Sequence, residues 1–308
     1  MKQVNQFKAY LFAGLSIVAW SSISTAFKLS LIDLTPIGLL LFSSLTASLF
    51  LGSILLFTRP LRFFSQSIFI RIGKNLRKSI IPALLNPFLY YLILFEAYSR
   101  LRAQEAQALN YTWAIVLAVL GIIMLKEKFR SVDFVALLIS FLGVWLISTK
   151  GAWTNLRFDD ALGSFLAVFT SIIWAFYWVL SLKDKRNAVT KLFFNFLLGF
   201  CFIAALVIVG KIRLFTPGAN IMHGVLGGIY VGIFEMGLTF LLWFKALQYT
   251  SSTAKVSNLI FLTPFISLLF ISKILGESIH PATFIGLVLI VLSNLLQKGV
   301  FSFSKRNA

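Results

Sequence analysis

An all-α membrane protein, with ten transmembrane helices in two inverted five-helix repeats, is the fold that this sequence predicts. Of the 308 residues, 59% are hydrophobic and only 12% are charged, a composition typical of membrane proteins. Ten apolar stretches follow one another with mostly short connections. Features of the first half also recur in the second half about 150 residues later, which indicates an internal repeat.

The first five stretches are long enough, or nearly so, to cross a hydrocarbon core of roughly 30 Å as helices. They run from Ala9 to Phe27, Thr35 to Phe57, Ser79 to Tyr98, Ala103 to Leu125 and Val132 to Thr149. The first has no small-residue cleavage site, so we interpret it as an uncleaved span. The long connection from Thr58 to Lys78 interleaves basic and apolar residues, which predicts an amphipathic segment on the membrane surface.

The second five stretches repeat this organisation. They run from Ala161 to Leu182, Val189 to Gly210, Gly224 to Leu247, Ser252 to Leu275 and Pro281 to Leu296. Leu125-Lys126-Glu127 recurs as Leu275-Gly276-Glu277, and Phe95-Glu96-Ala97 as Phe244-Lys245-Ala246. Because five is an odd number, the second copy enters the membrane from the opposite face. We therefore predict two repeats, residues 1–150 and 151–308.

The distribution of charge predicts the orientation. The net charge is +18, and with the N-terminus in the cytoplasm 17 Lys and Arg fall in cytoplasmic segments against 8 on the other side. This bias follows the positive-inside rule and places both termini in the cytoplasm of a bacterial cell, with the protein in the cytoplasmic membrane. The bilayer, not nucleic acid, is then the expected partner of these basic loops. The single cysteine excludes an intramolecular disulfide, and we expect it to be a small buried residue.

The main candidate for function is Glu235, an acid in the middle of the eighth stretch. Helical spacing puts it on one stripe with small and polar residues: Gly224, Gly228, Gly232, Thr239, Trp243 and Ala246. A stripe of this kind faces the protein interior. An ionisable group at this depth predicts a site for substrate or a proton. The alternative is a carboxyl group, protonated or hydrogen-bonded, that ties helices together.

Further candidates surround this acid in the predicted bundle. Lys255 and Asn258 share a helix face one turn apart and are candidates to receive a substrate carboxylate from the cytoplasm. Aromatic residues with a polar edge away from the helix ends are candidates for a cavity wall, with core packing as the alternative: Trp20, Trp113, Trp174, Tyr177, Tyr90 and Tyr91. We expect Glu127 and Glu277 to be structural residues at helix ends.

Several of these motifs resemble a known family. Ala19-Trp20-Ser21-Ser22 leading to Lys28, Glu127 and Glu277 after the fourth and ninth stretches, and Leu241 to Leu247 leading to Pro264 are similar to the EamA-type families of the drug/metabolite transporter superfamily. The resemblance covers both halves and implies a ten-helix bundle around a central cavity that exports amino acids or other small metabolites. Asn110-Tyr111-Thr112-Trp113 is similar to a segment of the aromatic amino acid exporters. Glu235 stands where the family usually has a small residue.

Together these observations predict a secondary transporter that works by alternating access, with an amino acid exporter as the first candidate. The alternative within transport is an importer or exchanger of a charged metabolite such as a nucleotide derivative. The second class is a membrane-embedded enzyme of lipid or glycan chemistry, which the sequence disfavours because no nucleophile-base pair or phosphate loop is visible. We expect no cofactor, a small-molecule substrate, and a monomer or homodimer.

Overall fold

The computed structural model describes residues 4–58, 68–125, 131–152, 160–251, 256 and 259–297. Within these ranges the chain is helical and forms no β-strand, apart from an isolated antiparallel bridge between Leu34 and Phe215. Apolar composition explains the helices, since backbone N–H and C=O groups in a bilayer have to bond to one another. A helix satisfies them within a single segment.

The helices of the first half lie close to the predicted spans. They are α1 (Gln6–Asp33), α2 (Pro36–Thr58), α3 (Ile68–Ala83), α4 (Tyr90–Arg100), α5 (Ala103–Asn110), α6 (Trp113–Leu125) and α7 (Ser131–Ser148). Asn5 caps α1 by accepting a hydrogen bond from the backbone N–H of Lys8 at 3.0 Å. The described part of the predicted surface segment, from Ile68 onward, is helical and continues directly into the third predicted span.

The second half has a similar series of helices. They are α8 (Ala161–Lys183), α9 (Ala188–Gly210), α10 (Ile221–Phe234), α11 (Leu238–Tyr249), a 3₁₀ turn (Leu259–Leu262), α12 (Thr263–Ile274) and α13 (Pro281–Gln297). Asp160 caps α8 and Asn220 caps α10, each through a side-chain oxygen that accepts a backbone N–H three residues later.

Three predicted spans are interrupted near their middle. The third contains a π-helical turn, Leu84–Leu89, in which Asn86 has extended backbone angles and Pro87 has no N–H to donate. The fourth is broken between α5 and α6, and the eighth is broken at residues 235–237, between α10 and α11. The ninth opens with the 3₁₀ turn before α12. Each interruption brings irregular backbone into the interior of the bundle.

Glycines set the closest approaches between helices. A Cβ on Gly228 would lie 2.5 Å from the Cβ of Phe42, and a Cβ on Gly232 would lie 2.5 Å from the carbonyl oxygen of Ser43, so α10 packs directly on α2. Gly143 and Gly286 have the same role where α7 crosses α13. Small residues of this kind allow helix backbones to approach within a membrane.

Six helical segments in the described ranges are long and apolar enough to span a membrane. They are Gln6–Asp33, Pro36–Thr58, Ile70–Arg100, Ala161–Ser181, Ala188–Gly210 and Ile221–Tyr249, and shorter apolar helices cover Phe134–Ser148, Leu259–Ile274 and Pro281–Leu296. The chain is therefore a multi-pass membrane protein, while the count of ten and the repeat symmetry stay predictions. Cys201 is exposed on α9, so the expectation that it is buried was wrong. An apolar run gives no sign of which face meets lipid.

Candidate functional site

Glu235 lies in the break between α10 and α11, at the position where the predicted eighth span loses its helical hydrogen bonds. The backbone N–H groups of Glu235 and Met236 both donate to the carbonyl oxygen of Val231, at 2.9 and 3.3 Å. The hydroxyl of Thr239 donates to the carbonyl oxygen of Phe234, which the break has removed from the regular ladder. A side chain satisfies this backbone group, as the interior of a membrane protein requires.

Tyr91 is the described hydrogen-bond partner of this carboxyl group. Its hydroxyl donates to Glu235 Oε1 at 2.8 Å, and its side chain is fully buried. Tyr91 lies in the first turn of α4, directly after the interrupted turn of the third span. Two helix interruptions, one in each half of the chain, therefore meet at this hydrogen bond.

A cavity of about 360 Å³ opens beside Glu235, between helices of both halves. This volume lies in the range of sites that hold small molecules. The described lining comes from α1, α4, α5, α6, α8, α11, the 3₁₀ turn and α12, together with Glu235 and with Tyr111 in the break between α5 and α6. Among these side chains Glu235 is the one that carries a formal charge.

Aromatic side chains form half of the twenty described lining residues, against 16% of the whole chain. Five of the seven tryptophans of the chain are among them: Trp20, Trp113, Trp174, Trp178 and Trp243. The other aromatic lining residues are Phe27, Tyr90, Tyr98, Tyr111 and Phe240. Such enrichment indicates a wall for a flat or apolar ligand, because aromatic faces give a large contact area with few rotatable bonds.

These rings hold one another in place. Tyr90 stacks on Trp174 with a centroid distance of 4.6 Å, and Trp174 contacts Phe240 at 6.2 Å. Phe240 in turn meets Trp20 edge-on at 5.6 Å, and Trp20 contacts Trp243 at the same distance. The aromatic wall is thus continuous from α4 through α8 to α11 and α1.

Part of the polar lining has defined hydrogen-bond partners. Asn110 accepts a hydrogen bond from the Tyr90 hydroxyl at 3.2 Å and donates to the Thr170 hydroxyl at 2.7 Å. The hydroxyls of Tyr98 and Ser24 lie 2.7 Å apart. A mostly apolar pocket with a small number of placed polar groups is typical of a site for a small molecule.

The structure brings six of the predicted site residues to this cavity: Glu235, Asn110, Trp113, Trp20, Trp174 and Tyr90. Tyr177 packs behind the wall against Trp174, and Thr239 is buried at the helix break, so neither is among the described lining residues. Lys255 and Asn258 lie outside the described residues.

Sequence reasoning missed other lining residues, notably Tyr98, Gln107, Trp178 and Phe240. Trp178 lies one helical turn from Trp174, so helical periodicity places both on the same face and could have identified Trp178 as a lining residue. Gln107 is a polar residue within the fourth apolar stretch, which is a second such signal. Phe240 has no local mark that separates it from the other phenylalanines of the chain.

A second carboxyl group closes one end of the bundle, which we call the Glu277 end. Glu277 Oε1 accepts a hydrogen bond from the Ala103 N–H at 3.0 Å, and Oε2 accepts from the N–H and the side-chain amide of Gln104 at 3.5 and 3.2 Å. The same amide donates to the carbonyl oxygen of Ser278 at 2.9 Å. Glu277 therefore lies at the N-terminus of α5, where the free N–H groups of a helix favour an anion.

Lys28 forms further hydrogen bonds between the Glu277 end and the cavity. Its ammonium group donates to the carbonyl oxygens of Tyr98 and Leu101, at 2.9 and 2.8 Å. Its chain neighbour Phe27 lines the cavity, whereas at the opposite end the lining reaches Leu247 in the last turn of α11. The described lining thus runs from Phe27, next to Lys28, to the C-terminal end of α11.

Relatives of known sequence carry the names of transporters. An uncharacterized transporter of Archaeoglobus fulgidus is 25% identical over 91% of this chain and 93% of its own length. Uncharacterized transporters of Clostridium kluyveri and Bacillus subtilis (YyaM) are 26% and 27% identical, each over 63% of this chain and 63% of their own length. The chain is thus matched over less than two thirds of the latter two relatives.

A protein of known crystal structure superposes with a TM-score of 0.61 over 96% of this chain and 98% of its own, at 18% identity, which shows a shared fold. The model of the EamA-like transporter family matches residues 7–149 and again residues 161–297. The family resemblance of the sequence motifs is thereby confirmed. The chain belongs to the EamA-like transporter family.

Proposed function

We propose that this protein is a secondary transporter that exports a small amine-bearing metabolite, with an amino acid as the first candidate. One observation carries the proposal: an aromatic cavity between the two halves of the chain has a single acidic or basic side chain in its described lining, the carboxyl group of Glu235. The substrate ammonium group binds at this carboxylate, or Glu235 gains and loses a proton during the cycle. An ionisable group within membrane-spanning helices marks a substrate or ion pathway.

The positions of the helix interruptions support two inverted five-helix repeats. The third and eighth predicted spans are equivalent in the repeats, and both are broken, at Leu84–Leu89 and at residues 235–237. Broken helices at corresponding positions are common in transporters with inverted repeats, where they surround the substrate site. The two matched segments, 7–149 and 161–297, agree with repeats of residues 1–150 and 151–308 in a ten-helix bundle.

The closure of the Glu277 end supports alternating access. With both termini in the cytoplasm of a bacterium, as the charge bias predicts, this end faces outward and the cavity extends toward the cytoplasm. An exporter loads its substrate from that side. Breaking the bonds of Lys28 and Glu277 is then part of the change that opens the outer side. Lys255 and Asn258, which lie outside the described residues, stay candidates from the sequence for contact with a substrate carboxylate.

The first experiment measures exchange of radiolabelled amino acids by the purified protein in liposomes. We expect Glu235→Gln to lower the rate at least about 30-fold, because removing one partner of a buried charge pair costs 2 kcal/mol or more, which is about that factor. Glu96→Gln is the matched control. Its carboxylate pairs with Arg100 at 2.8 Å on an exposed surface, so the rate should stay unchanged.

Two outcomes would contradict the proposal. Wild-type exchange by a folded Glu235→Gln protein would remove Glu235 from the site, and no exchange of any amine-bearing solute would reject the transport assignment. Labelled nucleotides in the same assay test the import or exchange of a charged metabolite, for which the described lining offers no cation. Turnover of a lipid without flux of any solute would favour the enzyme class.

A further inference from the structure

The charge of the cavity is unbalanced in the part of the chain that the structure describes. Glu235 contributes a carboxyl group to the described lining, and no described Lys or Arg lines the cavity. Lys28 is bound to two backbone carbonyl oxygens beyond the cavity, Lys191 donates to Ser181, and Lys245 lies 5.5 Å from the ring of Phe12. A ligand that enters this space meets an acidic side chain without a described basic one.

The carboxyl group also has room for a further donor. The described structure gives it one hydrogen bond, from Tyr91 to Oε1. A carboxylate accepts up to about four hydrogen bonds, and an ammonium group offers up to three donors together with the opposite charge. Glu235 therefore suits an ammonium group better than a neutral hydroxyl or amide.

The aromatic wall adds a second attraction for the same kind of ligand. Tyr90, Trp174, Phe240 and Trp20 contact one another in sequence at centroid distances from 4.6 to 6.2 Å. Their mutual packing orients the ring faces before a ligand arrives, which limits the ordering cost of binding. Aromatic faces attract cations, and they stack on flat apolar bodies.

We propose that this cavity recognises an ammonium group on an aromatic body and does not need a carboxylate, so aromatic monoamines are its preferred ligands. This inference rests on the proposed transport function and, among its amine-bearing substrates, places monoamines ahead of amino acids. An amino acid places its own carboxylate in the same low-dielectric space as Glu235, where like charges repel and desolvation is unfavourable. The corresponding amine presents the same ring and ammonium group without that penalty.

Three probes that share one ring test the proposal: phenethylamine, phenylalanine and 3-phenylpropionate. Their affinities for the purified full-length protein in nanodiscs are measured by isothermal titration calorimetry. We expect phenethylamine to bind at least about 10-fold more tightly than phenylalanine, a difference of about 1.4 kcal/mol, and 3-phenylpropionate to bind least. This ranking needs no variant, so it stands even where a substitution impairs folding.

Glu235→Gln should weaken phenethylamine binding at least about 10-fold, whereas Glu96→Gln should leave it unchanged. Tighter binding of phenylalanine than of phenethylamine, or full phenethylamine affinity in folded Glu235→Gln protein, would overturn the inference. Flux measurements separate the two proposals. Exchange of phenylalanine without amine binding leaves the transport function standing, and Glu235-dependent amine binding without flux of any solute rejects transport while the recognition of amines stands.

Discussion

Glu235 and Glu277 are two carboxyl groups of the second half whose surroundings differ in kind. Glu277 accepts hydrogen bonds from two backbone N–H groups at the start of α5 and from the side chain of Gln104. Glu235 accepts one described hydrogen bond, from Tyr91, and faces the cavity. The number and type of described donors thus differ between an acid bound at a helix N-terminus and an acid that faces the cavity.

The contrast also separates family membership from the specific site. Glu277 belongs to the motifs through which the chain resembles its family, and its contacts are structural. Glu235 stands where that resemblance implies a small residue, and its carboxyl group lies at the cavity. We infer that Glu277, within the motif that resembles the family, maintains the bundle, whereas Glu235, where the resemblance implies a small residue, affects what the cavity binds.

The largest expected effect concerns the support of Glu235. Gly232→Ala places a Cβ 2.5 Å from the carbonyl oxygen of Ser43, so α10 has to move away from α2 and Glu235 moves with it. We expect the free energy of unfolding in detergent micelles to fall by about 3 kcal/mol. Gly14→Ala, on α1 with no atom within 4 Å, is the control and should be neutral or slightly stabilising. Equal losses in both variants would contradict this packing.

Glu277→Ala should have the next largest effect on stability. An unchanged stability would contradict the structural role that separates Glu277 from Glu235. The substitution leaves the N–H groups of Ala103 and Gln104 without their charged acceptor, and hydrogen bonds to charged groups contribute about 2 kcal/mol. We expect this loss in chemical unfolding of the purified protein, with unchanged amine affinity. Glu235→Ala should show the reverse pattern, with lost affinity and a smaller change in stability. The same stability loss in both would show that both acids are structural.

Tyr91→Phe tests how much the described hydrogen bond of Glu235 contributes to stability and to binding. It removes the one described hydrogen bond to the carboxyl group while keeping the ring in the same buried space. We expect stability to fall by about 1 kcal/mol, with a shift of amine affinity of no more than about 5-fold. Thermal unfolding and calorimetry measure both quantities. Loss of all binding would mean that Tyr91 itself contacts the ligand.

The smallest effect is expected at Asp184, a third acid outside the predicted spans. Partial burial opposes its ionisation, but hydrogen bonds from Arg186 at 2.9 and 3.1 Å outweigh burial and hold the pKa of Asp184 below its ordinary value. The pair therefore stabilises the protein above the unfolded pKa of about 3.9, and this contribution is lost as the pH falls through the lower folded pKa.

Asp184→Asn should lower stability by about 0.5 kcal/mol at pH 7, and the difference from wild type should shrink as the pH falls from about 3.9 through the lower folded pKa. Unfolding curves measured from pH 7 down into this acidic range check the sign. A difference that grows toward acid would show that Asp184 is not stabilised as a carboxylate.

Local pattern predicted most helix positions, because each apolar stretch needs only its own backbone to form hydrogen bonds. Ala161 to Leu182 and Val189 to Gly210 agree with α8 and α9 within one residue at each end. The predicted eighth span was too regular, since α10 ends at Phe234 and α11 begins at Leu238. A break of this kind depends on helix packing and on neighbouring side chains that supply the missing hydrogen bonds. The pattern of apolar residues along the chain does not contain this information.

By itself, the sequence determined a multi-pass helical protein, its family, and an acid in the middle of an apolar stretch. Composition and spacing suffice for these because they are local or cumulative properties of the chain. Only the tertiary structure decided what the acids contact. Glu235 meets Tyr91 across 144 residues and Glu277 meets Ala103 across 174, contacts that exist only once helices distant in the chain have packed together.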